Sequence, residues 1–259
     1  MSAQTSVNIP TSFGTVPLTV DQRGTGRPVV ILHGGAGPTS VTGFADLLAD
    51  ATGTRVITPT HPGFGGTPRT ETLTTIGGLA EVYAGLLDAL ELNNATVIGN
   101  SIGGWIASEL ALRHSPRLGR VALVDAVGIE VDGHPVASAL PPSQLAEYSW
   151  YDPSKAPSLD PATLSPGVLD ILAGNRTALA LYGGSSMSDA GLLARLIAID
   201  VPTLVLWGEA DRIVDADYGR AFAAAIPGAR FELLPRTGHV PQMETPQLLV
   251  EALRAFVAG

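Results

Sequence analysis

Short apolar runs alternate along this chain with segments of helical periodicity, and this alternation limits the possible folds more than any other feature. The run PVVILHG at 28–34 holds four consecutive aliphatic residues and ends in glycine. Such runs are typical of strands buried on both faces of a parallel sheet. After an opening hairpin over SVNI and TVPLTV, the predicted strands are 28–34, 55–60, 95–99, 120–125, 202–208 and 230–234.

Amphipathic segments lie between these strands. Strands that alternate with helices predict an α/β fold, with a mostly parallel sheet and helices on both of its faces. The last helix begins at Pro246, after the capping residue Thr245, because proline is favoured at the first helical position. The other predicted helices are 44–51, 76–92, 105–114 and 218–226.

The segment from Gly128 to Asp189 interrupts this pattern. Its strand signal disappears and prolines punctuate it, yet structureless loops of this length are uncommon in compact domains. We therefore predict an inserted helical lid at 128–189, between two parts of one core at 1–127 and 190–259. The lid contains Trp150 and Tyr182, which either pack within it or line a substrate pocket.

Composition excludes several kinds of partner and chemistry. A formal net charge of −9 argues against binding to nucleic acid or to an anionic membrane surface. The chain has no cysteine, which excludes disulfides, thiolate nucleophiles and zinc–thiolate sites. The opening MSAQTSVNIP does not resemble a signal peptide, and no apolar run approaches the ~20 residues of a membrane helix. We expect a cytoplasmic protein with a small-molecule substrate, no cofactor and no metal, and we keep a homodimer open.

The pentapeptide GNSIG at 99–103 is the first candidate catalytic feature. It fits the pattern G-x-S-x-G and lies between a predicted strand and a predicted helix. In such a turn the serine takes a strained conformation that exposes its hydroxyl at the carboxyl edge of the sheet. The alternative is an ordinary tight turn with a surface serine; the flanking strand and helix favour Ser101 as a nucleophile.

A serine nucleophile needs a base, and the chain offers five histidines. His239 follows the last predicted strand, in a loop that can bring its imidazole over the turn at Ser101. The other four fit other roles better: a helix end for His114, the lid for His134, and structural roles in glycine-rich loops for His33 and His61.

The base in turn needs a carboxylate that fixes its tautomer. Asp211 follows a predicted strand, and the order serine, aspartate, histidine is the one expected for this arrangement. Asp125 also ends a strand and remains a competitor. Glu209 is interpreted as a surface residue and Asp215 as the cap of the next helix.

An oxyanion needs preorganised donors, which backbone N–H groups usually supply. One donor is expected from Ile102, which follows the serine at a helix N-terminus. The other is expected from the glycine-rich loop HGGAGP, where Gly35 is the candidate; a plain turn is the alternative for this loop.

Five motifs in order resemble the α/β-hydrolase family, and the resemblance spans nearly the whole chain. They are LHGG at 32–35, HPGFGGT at 61–67, GNSIGG at 99–104, WGEAD at 207–211 and GHVPQMETP at 238–246. The resemblance implies an eight-stranded, mostly parallel sheet with an inserted lid. It also implies that Ser101, Asp211 and His239 are nucleophile, acid and base, and that Gly35 and Ile102 are oxyanion donors.

Within that family, GNS together with H-G-G-x-G-P resembles the branch that hydrolyses carbon–carbon bonds of ring-cleavage dienoates. This resemblance makes Asn100 and Arg176 candidates for holding a substrate carboxylate. GNS also occurs in simple esterases, and a serine at this position speaks against dehalogenases and epoxide hydrolases.

Three functions follow as hypotheses. The first is a serine hydrolase that cleaves a small ester, thioester or lactone through an acyl-enzyme. The second is a carbon–carbon bond hydrolase or lyase with the same triad. The third is a ligand-binding protein on the same scaffold, against which the apparently intact triad argues.

Overall fold

The computed structural model describes residues 3–138, 140–157 and 161–258. Eight strands form one sheet with the order β1-β2-β4-β3-β5-β6-β7-β8. The strands are β1 (Ala3–Thr11), β2 (Gly14–Arg23), β3 (Pro28–Leu32), β4 (Arg55–Pro59), β5 (Ala95–Asn100), β6 (Leu118–Val124), β7 (Thr203–Gly208) and β8 (Arg230–Leu234).

Most of the sheet is parallel. The opening hairpin pairs β1 with β2, and β2 runs antiparallel to β4, whereas every pair from β4 across to β8 is parallel. In register, Leu32 lies opposite Gly99 and Asn100 lies opposite Val124. The carboxyl ends of the central strands therefore meet at one edge, which is where ligands bind in open α/β sheets.

The helices are α1 (Thr39–Thr52), α2 (Ile76–Ala89), α3 (Ile102–Ala111), α4 (Pro142–Ser149), α5 (Pro166–Gly183), α6 (Leu192–Arg195), α7 (Ala216–Ala225), α8 (Pro241–Glu244) and α9 (Pro246–Ala258). Apolar residues of α1 and α9 pack on one face of the sheet, and those of α2, α3 and α7 pack on the other. The strands supply both faces alternately: in β3, Val29 and Ile31 join one core, and Val30 and Leu32 the other. The predicted fold class is confirmed.

The observed helix bounds differ from the predicted ones, most clearly at the starts of α3 and α1. Helix α3 begins at Ile102 instead of Trp105, because the intervening Gly103 and Gly104 weaken the helical signal without preventing a helix. Helix α1 begins at Thr39, before the apolar pattern that starts at Phe44.

The segment between β6 and β7 is built from helices in the part that the structure describes. It contains α4, α5, α6 and three short 3-10 turns at Pro153–Lys155, Pro161–Thr163 and Leu196–Ala198. Ala139 and residues 158–160 of the predicted lid, like 1, 2 and 259 of the predicted core, lie outside the described residues. Across 3–138, 140–157 and 161–258, no helix combines the length and hydropathy that crossing a bilayer requires.

Candidate active site

Ser101 lies in a strained turn between β5 and α3. Its backbone has φ 57° and ψ −121°, a conformation that non-glycine residues rarely adopt and that costs about 1–3 kcal/mol. A methyl group on Gly99 would collide with the carbonyl oxygen of Gly103, and one on Gly103 with that of Leu32. The geometry therefore matches the turn that the G-x-S-x-G pattern predicts, and the glycines permit the close approach of two loops.

His239 and Asp211 form a buried pair at the same edge of the sheet. The Nδ1 atom of His239 lies 2.7 Å from Oδ2 of Asp211. The other oxygen, Oδ1, accepts hydrogen bonds from the N–H groups of Ile213 at 2.7 Å and Val214 at 3.1 Å. Because these donors all favour the ionised carboxylate, Asp211 can fix the Nδ1–H tautomer and leave Nε2 of His239 to accept a proton.

Asn100 holds the loop of His239 beside the serine. Its amide group donates to the carbonyl oxygens of His239 at 3.0 Å and Val124 at 3.2 Å. Its Oδ1 accepts from Nε2 of Gln242 at 3.1 Å. Both amide hydrogens are used, so no donor is left for a substrate carboxylate, which argues against that hypothesis for Asn100 in this arrangement.

The loop with the expected oxyanion donors lies directly against the serine. A methyl group on Gly34 would come within 3.2 Å of the Ser101 Cβ, and Gly35 is the next residue of this loop. Ile102 is the first residue of α3, and the first N–H groups of a helix have no acceptor within it. Both predicted donors are thus near Ser101 in the chain or in space.

Two fully buried histidines join this loop to the loop that follows β4. Nε2 of His33 accepts a hydrogen bond from the His61 N–H at 3.1 Å, and Nε2–H of His61 donates to the His33 carbonyl oxygen at 2.8 Å. Nδ1 of His61 contacts the hydroxyl of Tyr83. Burial lowers the pKa of His33 to about 4 and that of His61 well below its ordinary value. Both therefore stay neutral, in the structural role that the sequence favours.

Helix α5 covers both loops. A methyl group on Gly35 would come within 2.7 Å of Leu179, and one on Gly37 within 2.6 Å of Nδ2 of Asn175. Oδ1 of Asn175 accepts from the Gly65 N–H at 2.8 Å, and the Tyr182 hydroxyl donates to the Pro62 carbonyl oxygen at 3.0 Å. Tyr182 therefore anchors α5 on the loop that follows β4.

The other end of the segment 128–189 contacts the loops of Asp211 and His239 through its backbone. The carbonyl oxygen of Tyr148 accepts from the Arg212 N–H at 3.1 Å, and that of Ser149 from the His239 N–H at 2.8 Å. Trp150, which is 9% exposed, follows immediately, and its Cα lies close to Gly238. Trp150 therefore lies next to the loop of the candidate base, in the stretch 148–152 that contacts this loop.

Glu244 strengthens this junction. Its carboxylate accepts hydrogen bonds from the N–H groups of Gly238 at 2.7 Å, Asp152 at 3.0 Å and Tyr151 at 3.1 Å. The Glu244 carboxylate thereby connects the segment at Tyr151–Asp152 to the loop that carries His239.

Arg176 lies on the exposed side of α5, which argues against its predicted contact with substrate. The residue before it, Asn175, is 5% exposed and contacts the core loops. Sequence reasoning missed Asn175, although the spacing of Asn175, Ala178 and Tyr182 places all three on one helical face. It also missed the roles of Gln242 and Glu244, which lie in the motif GHVPQMETP but bond partners on other loops that no local pattern encodes.

Four other acids and histidines that the sequence analysis considers have partners outside the candidate site. Oδ1 of Asp215 caps α7 by accepting from the N–H groups of Asp217 and Tyr218, and its Oδ2 bonds His134 at 2.7 Å. Glu209 accepts from the Arg236 N–H, and exposed His114 pairs with Asp200. These positions agree with the roles that the sequence favours for them.

Comparison with known proteins gives relatives over most of the chain. Residues 29–252 match the model of a family described as the alpha/beta hydrolase family. The chain is 29% identical to a 2-hydroxymuconate semialdehyde hydrolase of Pseudomonas putida over 266 residues, covering 91% of this chain and 89% of the relative. It is 27% identical to a 2-hydroxy-6-oxo-2,4-heptadienoate hydrolase of Pseudomonas putida, covering 95% and 94%.

Solved structures show the same architecture. A thermophilic esterase from Thermogutta terrifontis superposes with a TM-score of 0.76 at 26% identity, covering 98% of both chains. The predicted eight-stranded fold and the resemblance drawn from the five motifs are therefore confirmed. The chain belongs to the alpha/beta hydrolase family and is a hydrolase.

Proposed function

We propose that the protein is a serine hydrolase that cleaves a small ester, thioester or lactone through an acyl-enzyme. The observation that carries the proposal is the strained Ser101 turn at the sheet edge that also holds the buried His239–Asp211 pair. A strained serine beside a base that is oriented by a carboxylate is the arrangement that acyl transfer requires.

In the proposed mechanism, Oγ of Ser101 attacks the carbonyl carbon while Nε2 of His239 takes the hydroxyl proton. The Asp211 carboxylate stabilises the imidazolium that forms, and the N–H groups of Gly35 and Ile102 stabilise the oxyanion. His239 then gives its proton to the leaving group. Water attacks the acyl-enzyme in the second half of the reaction and releases the acid and free Ser101.

The segment 128–189 is the proposed lid over this site. Leu179 on α5 lies against Gly35, so the lid would form one wall of the space for the acyl group. We propose that substrate contacts come from this wall, with Tyr182 and Trp150 fixing the lid at its two ends.

Labelling with a fluorophosphonate tests the nucleophile. The wild-type protein is expected to gain one adduct at Ser101, located by peptide mass spectrometry, and Ser101→Ala and His239→Ala are expected to abolish it. Ser108→Ala, which alters another buried serine of the same helix α3, is the matched control and should label normally.

Kinetics give the second part of this test. Ser101→Ala should lower kcat on aryl esters by about 10⁴-fold or more. Normal ester turnover by Ser101→Ala, or labelling elsewhere in the chain, would contradict the proposal. A wild-type protein that neither labels nor turns over any ester would support a ligand-binding role instead.

A carbon–carbon bond hydrolase is the second candidate, because two relatives from Pseudomonas putida are named as hydrolases of 2-hydroxymuconate semialdehyde and of 2-hydroxy-6-oxo-2,4-heptadienoate. The positions of Asn100 and Arg176 weigh against it. A panel of aryl esters and vinylogous diketones decides between the two: faster turnover of the diketones would favour carbon–carbon cleavage.

A further inference from the structure

Asp125 occupies a strained, buried position at the end of β6, and the proposed reaction does not use it. Its backbone has φ 47°, and its side chain belongs to a residue with 0% exposure. Its N–H donates to the Leu206 carbonyl oxygen at 3.0 Å, and its Oδ1 accepts from the Gly208 N–H at 2.7 Å. Backbone strain of this kind costs free energy and persists only where the surrounding structure fixes it, so the position of Asp125 indicates a role.

The second carboxyl oxygen of Asp125, Oδ2, indicates what this role is. Within the described part of the chain, Oδ2 of Asp125 is buried and has no hydrogen-bond partner that donates to it. One oxygen of Asp125, one of Asp211 and one nitrogen of His239 all lie within 4.8 Å of one another. Two carboxylates this close in a buried site cannot both be ionised without a large energetic cost.

Hydrogen bonding decides which of the two carries the charge. Asp211 receives Ile213 N–H, Val214 N–H and the Nδ1 side of His239. Asp125 receives Gly208 N–H alone among the described contacts. The carboxyl group that accepts more hydrogen bonds is the one that stays ionised, so we place the proton on Asp125.

We propose that Asp125 is a neutral carboxylic acid that donates a hydrogen bond from Oδ2 to Asp211 and thereby positions the acid of the catalytic triad. It is a positioning residue, since it acts on the substrate only through Asp211 and His239. The inference rests on the proposed function for the role of Asp211, but the protonation state of Asp125 can be measured without any activity.

Electrostatics agree with this arrangement. Burial raises the pKa of Asp125 well above its ordinary value, and the neighbouring Asp211 raises it further, against a smaller lowering by the Gly208 N–H. Among the residues that the structure describes, Asp211 and His239 are the titratable groups clustered with Asp125. A neutral donor leaves Asp211 as the single charge beside the imidazole, and its bond spans the ends of β6 and β7.

Proton linkage provides the first test. In the unfolded chain Asp125 ionises above its ordinary pKa of 3.8, whereas Asp125→Asn carries no proton to lose and keeps both the donor and the acceptor. Unfolding of the wild type then releases one proton more than unfolding of the variant. The ratio of the wild-type to the variant unfolding constant should rise about tenfold per pH unit from about pH 5 upward. A ratio that stays constant with pH would overturn the proposal.

Infrared spectroscopy tests the same state without a variant. Wild-type protein with ¹³C-labelled aspartate should show the C=O stretch of a protonated carboxylic acid at about pH 8, where ordinary carboxyl groups are ionised. The band should be missing in Asp125→Asn and present in Ser101→Ala, because the nucleophile does not affect it. A wild type without this band contradicts the proposal even if neither variant folds.

Activity on an ester separates a positioning role from a merely structural one. Asp125→Asn should keep kcat/KM within about threefold and leave the acidic limb of the pH profile of kcat/KM unmoved. Asp125→Leu fills similar space without a hydrogen-bond donor and should lose about 10–100-fold in kcat. A shift of the acidic limb to lower pH in Asp125→Asn would show that a negative charge was removed, and would overturn the proposal. Inactivity of all variants and the wild type, with the infrared band intact, would refute the proposed function and leave the protonated Asp125 in place.

Discussion

At the scale of single residues, Gly103 shows how little space surrounds the candidate nucleophile. The first turn of α3 packs against the end of β3, and the Cα of Gly103 faces the carbonyl oxygen of Leu32. Any side chain here pushes the two elements apart, and the loop with the expected oxyanion donors follows directly after β3. The backbone of this turn is therefore constrained by packing as well as by chemistry.

Gly103→Ala is expected to destabilise the protein by about 3 kcal/mol or to prevent folding, because the new methyl group overlaps a backbone oxygen that cannot move alone. Urea unfolding measures the effect. Gly77→Ala is the matched control: this glycine lies in α2 with nothing within 4 Å of an added Cβ, so the change should be neutral or stabilising by about 0.5–1 kcal/mol. Equal stability of the two variants would contradict this account.

The roles of some residues in the candidate site can be predicted from the sequence, and those of others cannot. Ser101, Asp211 and His239 each follow a strand within a short motif, so their meeting at one sheet edge follows from the parallel topology. The roles of Asn100 and Asn175 depend on which loop lies across from each side chain, and no local pattern encodes that. Asp125 follows a strand as Asp211 does, and only their different hydrogen-bond donors separate the two.

At the scale of elements, α5 places an apolar wall over the expected oxyanion loop. The strand and helix positions of the core follow from period-two and period-3.6 patterns that are strong because both faces of the sheet are buried. The bounds of α5 are less visible in the sequence, since Val168, Leu169, Ile171 and Leu181 are more than a third exposed and blur its amphipathic pattern.

Leu179→Ala should change which acyl groups the protein accepts. Removing this side chain opens space next to Gly35, so the ratio of kcat/KM for hexanoyl over acetyl aryl esters should rise about tenfold. Steady-state kinetics on a series of chain lengths measures the ratio. Leu181→Ala, which alters an exposed leucine of the same helix, should leave it unchanged; a similar rise in both variants would argue against a wall at Leu179.

At the scale of the whole molecule, His33 and His61 connect two loops of the core and bury their imidazoles fully. Both rings must stay neutral in the folded protein, because each ring nitrogen is already engaged with a fixed partner. Protonation of either ring would leave a buried charge without a counter-ion. The fold is therefore sensitive to acid at a point far from its surface charges.

The free energy of unfolding should fall on acidification. Both histidines have a folded pKa below 6.5, about 4 for His33, so the unfolded chain binds two protons more than the folded one below pH 6.5. Neutral Asp125 offsets one of them, because it binds a proton only when folded. Stability should be highest near pH 6.5 and decline by about 1.4 kcal/mol per pH unit from there towards 4. Above pH 6.5 it should decline again, because the folded protein keeps the Asp125 proton that the unfolded chain releases.

Urea unfolding at several pH values measures this decline. Asp125→Asn should about double the slope, because the folded variant no longer carries the extra proton. A stability that does not change between these pH values would contradict neutral burial of the two histidines.

The junction at Tyr148–Asp152 has a consequence for protein engineering. Four backbone groups of this short stretch bond the loops of Asp211 and His239 or the carboxylate of Glu244. A segment 128–189 taken from another hydrolase would have to reproduce these bonds. Without them, the loop that carries the His239 imidazole would lose the contacts that hold it in place. We expect chimaeras that keep 148–152 and exchange only the sequence beyond it to retain a functional core.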